Sequence, residues 1–292
     1  MTALPGRFGL SCALATPFTD TGAVDLPRFA AHARWTLAEG CGSVTAFGTT
    51  GEGSSLGLSD RDQMFGALKA AGLDFRRQVI GGVMAASIED AVAQSRQILN
   101  ADGRALLLAP PFYFKGVSDE GLFAWFQALF AALGDTARDV ILYNIPSVTA
   151  VPLPLDLITR LRRAYPAIVI GVKDSSGDWP YTQALLAEHN DLAILVGDER
   201  HLAAAVKLGS EGAICGVANL MPKRLLPLAM KGEGDASIST LVDALLKHPV
   251  TPAVKSLIAD RAGDKGWLHA RPPLKALTPT QSAQLRSEAG PL

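Results

Sequence analysis

Eight short runs of apolar and β-branched residues, each followed by a helical pattern, recur along this chain of 292 residues. No other feature narrows its possible folds as much. The runs are Leu10–Phe18, Ser43–Phe47, Gln78–Met84, Ala105–Ala109, Val140–Asn144, Ile168–Lys173, Ala193–Gly197 and Gly212–Val217. Each is hydrophobic almost throughout, as expected of parallel strands covered on both faces. Helical patterns lie between them at Leu26–Glu39, Ser59–Ala71, Ser87–Asn100, Ser118–Leu133, Pro154–Ala164, Trp179–Glu188 and Glu199–Leu208. Asp25 is placed to cap the first, with Pro27 in its first turn. Ser87 and Asp90 approach a capping box, and Ser118 opens its helix ahead of Asp119 and Glu120.

Eight such units predict an α/β fold, a closed (β/α)8 TIM barrel over residues 1–220. An open doubly wound sheet usually carries a glycine-rich nucleotide loop after its first strand. Here that strand runs into Ala15-Thr16-Pro17-Phe18, which cannot do that job. Residues 221–292 hold further helical patterns at Pro222–Lys231, Ala236–Lys247, Pro252–Ala259 and Thr280–Ala289. No Gly/Ser-rich linker sets them apart, so they are expected to pack as a helical appendage of the same unit.

Charge and cysteine content exclude several classes. Lys plus Arg total 27 and Asp plus Glu 28, a formal net charge of -1, which favours neither nucleic acid nor an anionic membrane. The apolar run Ala105–Ala109 stops at Pro110-Pro111, and no run is long enough to span a bilayer. The N-terminus lacks a leader pattern. Cys12, Cys41 and Cys215 are isolated, with apolar neighbours and no CxxC unit. They read as small buried hydrophobes in a reducing cytoplasm. Five scattered histidines form no ligand cluster, so no metal is expected.

In a barrel of this kind, chemistry gathers where the strands end. Lys173 closes the sixth apolar run, in Gly171-Val172-Lys173-Asp174. Burial there disfavours the ammonium, and a neutral amine is a nucleophile towards carbonyls. By itself the residue reads more readily as a lysine that snorkels or pairs with Asp174. Tyr143 ends the fifth run beside Asn144, where a phenol could move protons during amine attack. After the second run, Gly48-Thr49-Thr50-Gly51-Glu52-Gly53 offers backbone N–H groups and hydroxyls to an anion such as a carboxylate. A plain glycine-rich turn is the other reading.

Together these segments and Tyr143-Asn144-Ile145-Pro146 resemble the family of dihydrodipicolinate synthase and N-acetylneuraminate lyase, over nearly the whole chain. The resemblance implies a class I aldolase or lyase, and a homo-tetramer built as a dimer of dimers. It implies no cofactor beyond a covalent imine between Lys173 and a 2-oxo acid such as pyruvate, with an aldehyde as the other small molecule. Tyr143 and Thr49 would relay protons. Thr49, Thr50 and Gly51 would hold the 2-oxo acid carboxylate, with Gly197 and Ile214 bordering the bound acid. Tyr113, in Pro111-Phe112-Tyr113, matches the catalytic tyrosine that crosses the tight-dimer interface to complete the neighbouring subunit's proton relay, and reads also as an ordinary interface aromatic.

Val148 stands where the synthase carries an arginine for its second substrate, and valine offers no donor. On that departure the chain is expected nearer the keto-acid aldolases, cleaving a 2-oxo acid aldol such as a 2-keto-3-deoxy sugar acid to pyruvate and an aldehyde. Synthase-type condensation, dehydration of a keto-deoxy sugar acid, and keto-acid binding without catalysis are the alternatives. Val148, Val151, Trp179 and Cys215 could line a less charged distal pocket, and each could equally be packing. Asp198 and Glu199 could meet the distal substrate or simply begin a helix, and the roles of Lys255 and Arg271 stay open.

Overall fold

The apolar runs form eight parallel strands closed into a barrel in the computed structural model, which describes residues 8–291. They are β1 (Gly9–Ala13), β2 (Ser43–Ala46), β3 (Val79–Val83), β4 (Ala105–Leu108), β5 (Val140–Asn144), β6 (Val169–Asp174), β7 (Ala193–Val196) and β8 (Gly212–Cys215). Each pairs with the next in sequence, and β8 closes on β1. Most strands are shorter than their apolar runs, while β5 matches its run and β6 is displaced one residue to end at Asp174. The first ends at Ala13, and Leu14–Phe18 continues as a buried loop.

The connecting helices are α1 (Leu26–Ala38), α2 (Leu58–Ala70), α3 (Phe75–Gln78), α4 (Ile88–Asn100), α5 (Asp119–Leu133), α6 (Pro146–Thr149), α7 (Leu155–Ala164), α8 (Trp179–Glu188) and α9 (Glu199–Lys207). Asp25, Ser87, Ser118 and Asp178 cap their helices by accepting a backbone N–H from the first turn. Ser59 is not a cap. Its helix starts one residue earlier, with the Asp60 carboxylate accepting the Gly57 N–H at 3.1 Å. The one-turn helices α3 and α6 are too short to leave a periodic signal.

Alternate residues of each strand face two separate cores. Ile80, Leu107, Ile141, Leu195 and Ile214 fill the barrel. Val79, Leu106, Leu108, Leu142 and Ile194 pack outward beneath the helices. Burial on both faces explains the unbroken hydrophobicity of the runs. Beyond β8 follow α10 (Pro222–Lys231), α11 (Ala236–Leu246), α12 (Val250–Ala262) and α13 (Pro279–Ala289). Of these, α12 starts and ends beyond the expected Pro252–Ala259, and it is buried along most of its length. Among the described residues, no helix is long and apolar enough to cross a membrane.

Candidate active site

Strands β5 and β6 present Tyr143 and Lys173 as register partners. That pairing depends on a bulge. Val140 pairs with Val169, but Ile141 pairs with Gly171, leaving Ile170 as an extra residue. Val169 and Val172 both face the helix layer, while Ile170 packs against the barrel interior. Strict alternation from Val169 would send residue 173 outward. The bulge inverts the order, and Lys173 joins Tyr143 inside. Gly171 sits at this point, where a Cβ would lie 2.5 Å from the Ala193 carbonyl oxygen.

Both side chains are buried, Lys173 at 5% exposure and Tyr143 at 2%. Lys173 Nζ donates to the Tyr143 phenol oxygen at 3.2 Å, and Nζ lies 4.3 Å from the ring centroid. The same phenol oxygen is 3.3 Å from Thr49 Oγ1. Amine, phenol and hydroxyl therefore form one chain along which a proton can pass. Behind them Asp174 fixes the strand end. It accepts from Asn144 Nδ2 at 3.0 Å, the Ser176 N–H at 3.1 Å and Thr182 Oγ1 at 2.6 Å.

The loop that carries Thr49 is held at both ends in an uncommon backbone region. Phe47 has φ 63° and Glu52 φ 56°, values that a non-glycine residue keeps only when its surroundings enforce them. At Glu52 the enforcement comes from the C-terminal segment. Lys255 Nζ of α12 meets the Glu52 carboxylate at 2.6 Å and donates to the Thr16 carbonyl at 2.8 Å. The Arg271 N–H reaches the other Glu52 oxygen at 3.0 Å, and Thr251 Oγ1 bonds the Thr49 carbonyl at 3.3 Å. Burial lowers the Lys255 pKa, and the attraction of Glu52 opposes that without outweighing it. The Arg271 guanidinium is bonded to Asp60 and the Ser55 carbonyl. Both roles left open by the sequence are thus contacts with the loop and its flank.

A cavity of about 280 Å³ opens over the strand ends. Thr49, Thr50, Tyr143, Lys173, Gly197, Ile214 and Val148 all line it, together with Cys215. Gly197 forms part of the wall because a Cβ there would lie 1.9 Å from Ser175 Oγ. Gly51 does not line the cavity. It packs beneath the loop, where a Cβ would meet the Leu14 carbonyl at 2.6 Å. Val151 and Trp179 are also outside it: Val151 is buried in the outer core, and Trp179 stands against His201. Tyr113 is 75% exposed and packs edge-on against Phe114, away from the cavity.

Asp198 and Glu199 line the wall, and they also cap and open α9. Burial would raise the Asp198 carboxyl, but its bonds to Arg200 carry it below the usual carboxylate range. Burial raises the Glu199 carboxyl, although it accepts the Val217 N–H at 2.9 Å. Sequence reasoning missed Ser175, Ser176 and Arg200 beyond β6 and β7, and from the appendage it missed Val242, Leu245 and Leu246 of α11 and Val250 and Val254 of α12. The appendage pattern is that of any packed helix and carries no separate signal. Among the described residues, no three His, Cys, Asp or Glu side chains are grouped to hold a metal. The three cysteines are free and buried, and burial pushes the Cys41 thiol up to about 12.

Fold and site together define a (β/α)8 barrel with a buried lysine, a phenol and a threonine at the mouth of one cavity. The dihydrodipicolinate synthetase family model matches residues 7–289, and the chain belongs to that family. It is thereby one of the Schiff-base-forming class I aldolases and lyases that act on 2-oxo acids. A crystal structure described as dihydrodipicolinate synthase from Agrobacterium tumefaciens is 53% identical, with 96% of this chain and 97% of that one covered and a TM-score of 0.93. An uncharacterized DapA-like lyase of Chloroflexus aurantiacus is 34% identical over 96% of this chain and 95% of its own length. The 4-hydroxy-tetrahydrodipicolinate synthase 1 of Streptomyces coelicolor is 32% identical over 97% and 92%.

These relatives overturn the expectation, drawn from Val148, that the chain lies nearer the keto-acid aldolases than the synthase. The reason is local. Val148 is 61% exposed on the one-turn helix α6. A surface side chain at the cavity mouth informs on what the mouth binds, and identity over the whole barrel outweighs it as a mark of kinship.

Proposed function

We propose that this enzyme holds pyruvate as an imine on Lys173 and joins it to an aldehyde, a condensation of the synthase type. The observation that carries this reading is the buried Lys173 amine bonded to Tyr143, itself within 3.3 Å of Thr49, inside the cavity. The relatives described as synthases favour condensation over cleavage of a sugar acid.

In the proposed sequence, the Lys173 amine attacks the 2-oxo carbon and Tyr143 passes a proton to the departing hydroxyl. Water leaves, and a protonated imine remains as an electron sink. The Tyr143 phenolate takes a proton from C3 to give an enamine, whose C3 attacks the aldehyde carbon. The new alkoxide takes a proton along the Tyr143–Thr49 chain, and hydrolysis frees a 4-hydroxy-2-oxo acid. The Thr49–Thr50 loop holds the pyruvate carboxylate throughout.

Borohydride reduction in the presence of pyruvate tests the first step. The peptide carrying Lys173 is expected to gain the mass of a reduced pyruvyl adduct, and Lys173→Ala to lose it. An adduct that persists in Lys173→Ala at the wild-type level sinks the assignment.

A further inference from the structure

The cavity wall beyond the lysine bears on the second substrate. Three exposed apolar side chains line its mouth: Val148 at 61%, Leu246 at 52% and Val250 at 41%. They come from α6, α11 and α12, so no single amphipathic stripe accounts for them. Val242, Leu245 and Val254 continue the same surface inward.

Charge on that wall is already matched. Among the described residues lining the cavity, the cations are Lys173 and Arg200. Lys173 is consumed by the imine. Arg200 is bonded to both oxygens of Asp198, at 2.6 Å and 3.0 Å, and to Asp243 at 2.7 Å. Glu199 lies beside Asp198 on the same wall, with its carboxyl turned to the Val217 N–H. A carboxylate at the far end of an incoming aldehyde would shed its water and meet no unpaired cation. A hydrocarbon end would instead bury against Val148, Leu246 and Val250.

We propose that the acceptor subsite takes an uncharged aldehyde with a hydrocarbon tail, and that Val148 and Leu246 set this preference. This rests on the Lys173 imine proposed above. The bond formed joins C3 of the enamine to the aldehyde carbon. The carbonyl π pair moves to oxygen, which takes a proton, so no oxidant or further reactant is needed.

The test uses the full chain with pyruvate and a set of aldehydes, read as kcat/KM for pyruvate consumption with product identification. Borohydride trapping is run in parallel. From acetaldehyde to butanal, kcat/KM is expected to rise about fourfold per methylene. Succinic semialdehyde is expected to fall about tenfold or more below its hydrocarbon isostere 4-methylpentanal. Val148→Arg and Leu246→Arg, both at exposed positions, should each move that ratio about tenfold towards the charged aldehyde. Three results overturn the subsite while leaving the imine intact: trapping without condensation of any aldehyde, succinic semialdehyde equal to or better than its isostere, or glyceraldehyde preferred to butanal. Failure of trapping in the wild-type protein overturns the imine, and this inference with it.

Discussion

Replacing Lys255 by methionine removes the cation from a pair whose side chains are 1% and 0% exposed. Glu52 would then keep the Arg271 N–H but lose its ammonium partner, and the Thr16 carbonyl would lose its donor. Breaking a buried pair from one side costs about 3–5 kcal/mol, because the remaining charge stays desolvated. In a chain of this size that corresponds to a fall in melting temperature on the order of 10 °C. A buried ion pair returns little beyond what its desolvation costs. Replacing both partners should therefore restore much of the loss. Glu52→Gln combined with Lys255→Met is expected within about 1–2 kcal/mol of wild type. Denaturant unfolding of the four proteins in a double-mutant cycle measures this. KM for pyruvate reports on the Thr49–Thr50 loop, and it should rise in the single variant. A Lys255→Met protein about as stable as wild type, or a double variant as damaged as the sum of the two singles, would refute the reasoning.

Three further predictions concern the strand ends and α1. Tyr143→Phe should lower kcat by about 10²–10⁴-fold, the usual range for a positioned proton donor, with unfolding unchanged within about 1 kcal/mol; a loss under tenfold would remove Tyr143 from the proton path. Gly171→Ala places a methyl against the Ala193 carbonyl at the bulge and should reduce borohydride trapping at Lys173 while circular dichroism stays near wild type; undiminished trapping would show that the bulge tolerates it. His32, buried and bonded to Asn219 at 2.9 Å, has its pKa lowered by burial from 6.5 to about 4. Its contribution to stability is full above pH 6.5 and is lost as pH falls towards 4, about 3 kcal/mol in all. Denaturant unfolding between pH 7 and 4 should show a shallower decline in His32→Gln than in wild type, and parallel curves would exclude His32 as the cause.

The apolar runs made the strands legible because parallel strands in this barrel are buried on both faces. The polar groups of Lys173, Tyr143 and Thr49 were legible as candidates because each ends or closely follows such a run. Register was not. Ile168-Val169-Ile170-Gly171 contains no sign of which residue is extra, since valine and isoleucine suit either face. Val151 and Trp179 were expected in the cavity and lie outside it, because hydrophobicity does not say which of two cores a side chain joins. The wall from α11 and α12 was invisible for the same reason. Val148 was placed correctly at the mouth, yet it misled on kinship, because a single exposed position weighs little against a barrel 53% identical to a solved synthase.

The extra residue in β6 makes the position of the reactive amine a matter of parity. Drawing Ile170 into the ladder, with no residue left over, would restore simple alternation from Val169 onward. Val172 would then turn into the barrel, and the Lys173 amine would emerge among the helices of the outer layer. A chain in that register would keep this sequence whole and, if the imine forms on Lys173, make no bond to a keto acid. In this barrel, then, register in one strand decides the side of the amine as much as residue identity does.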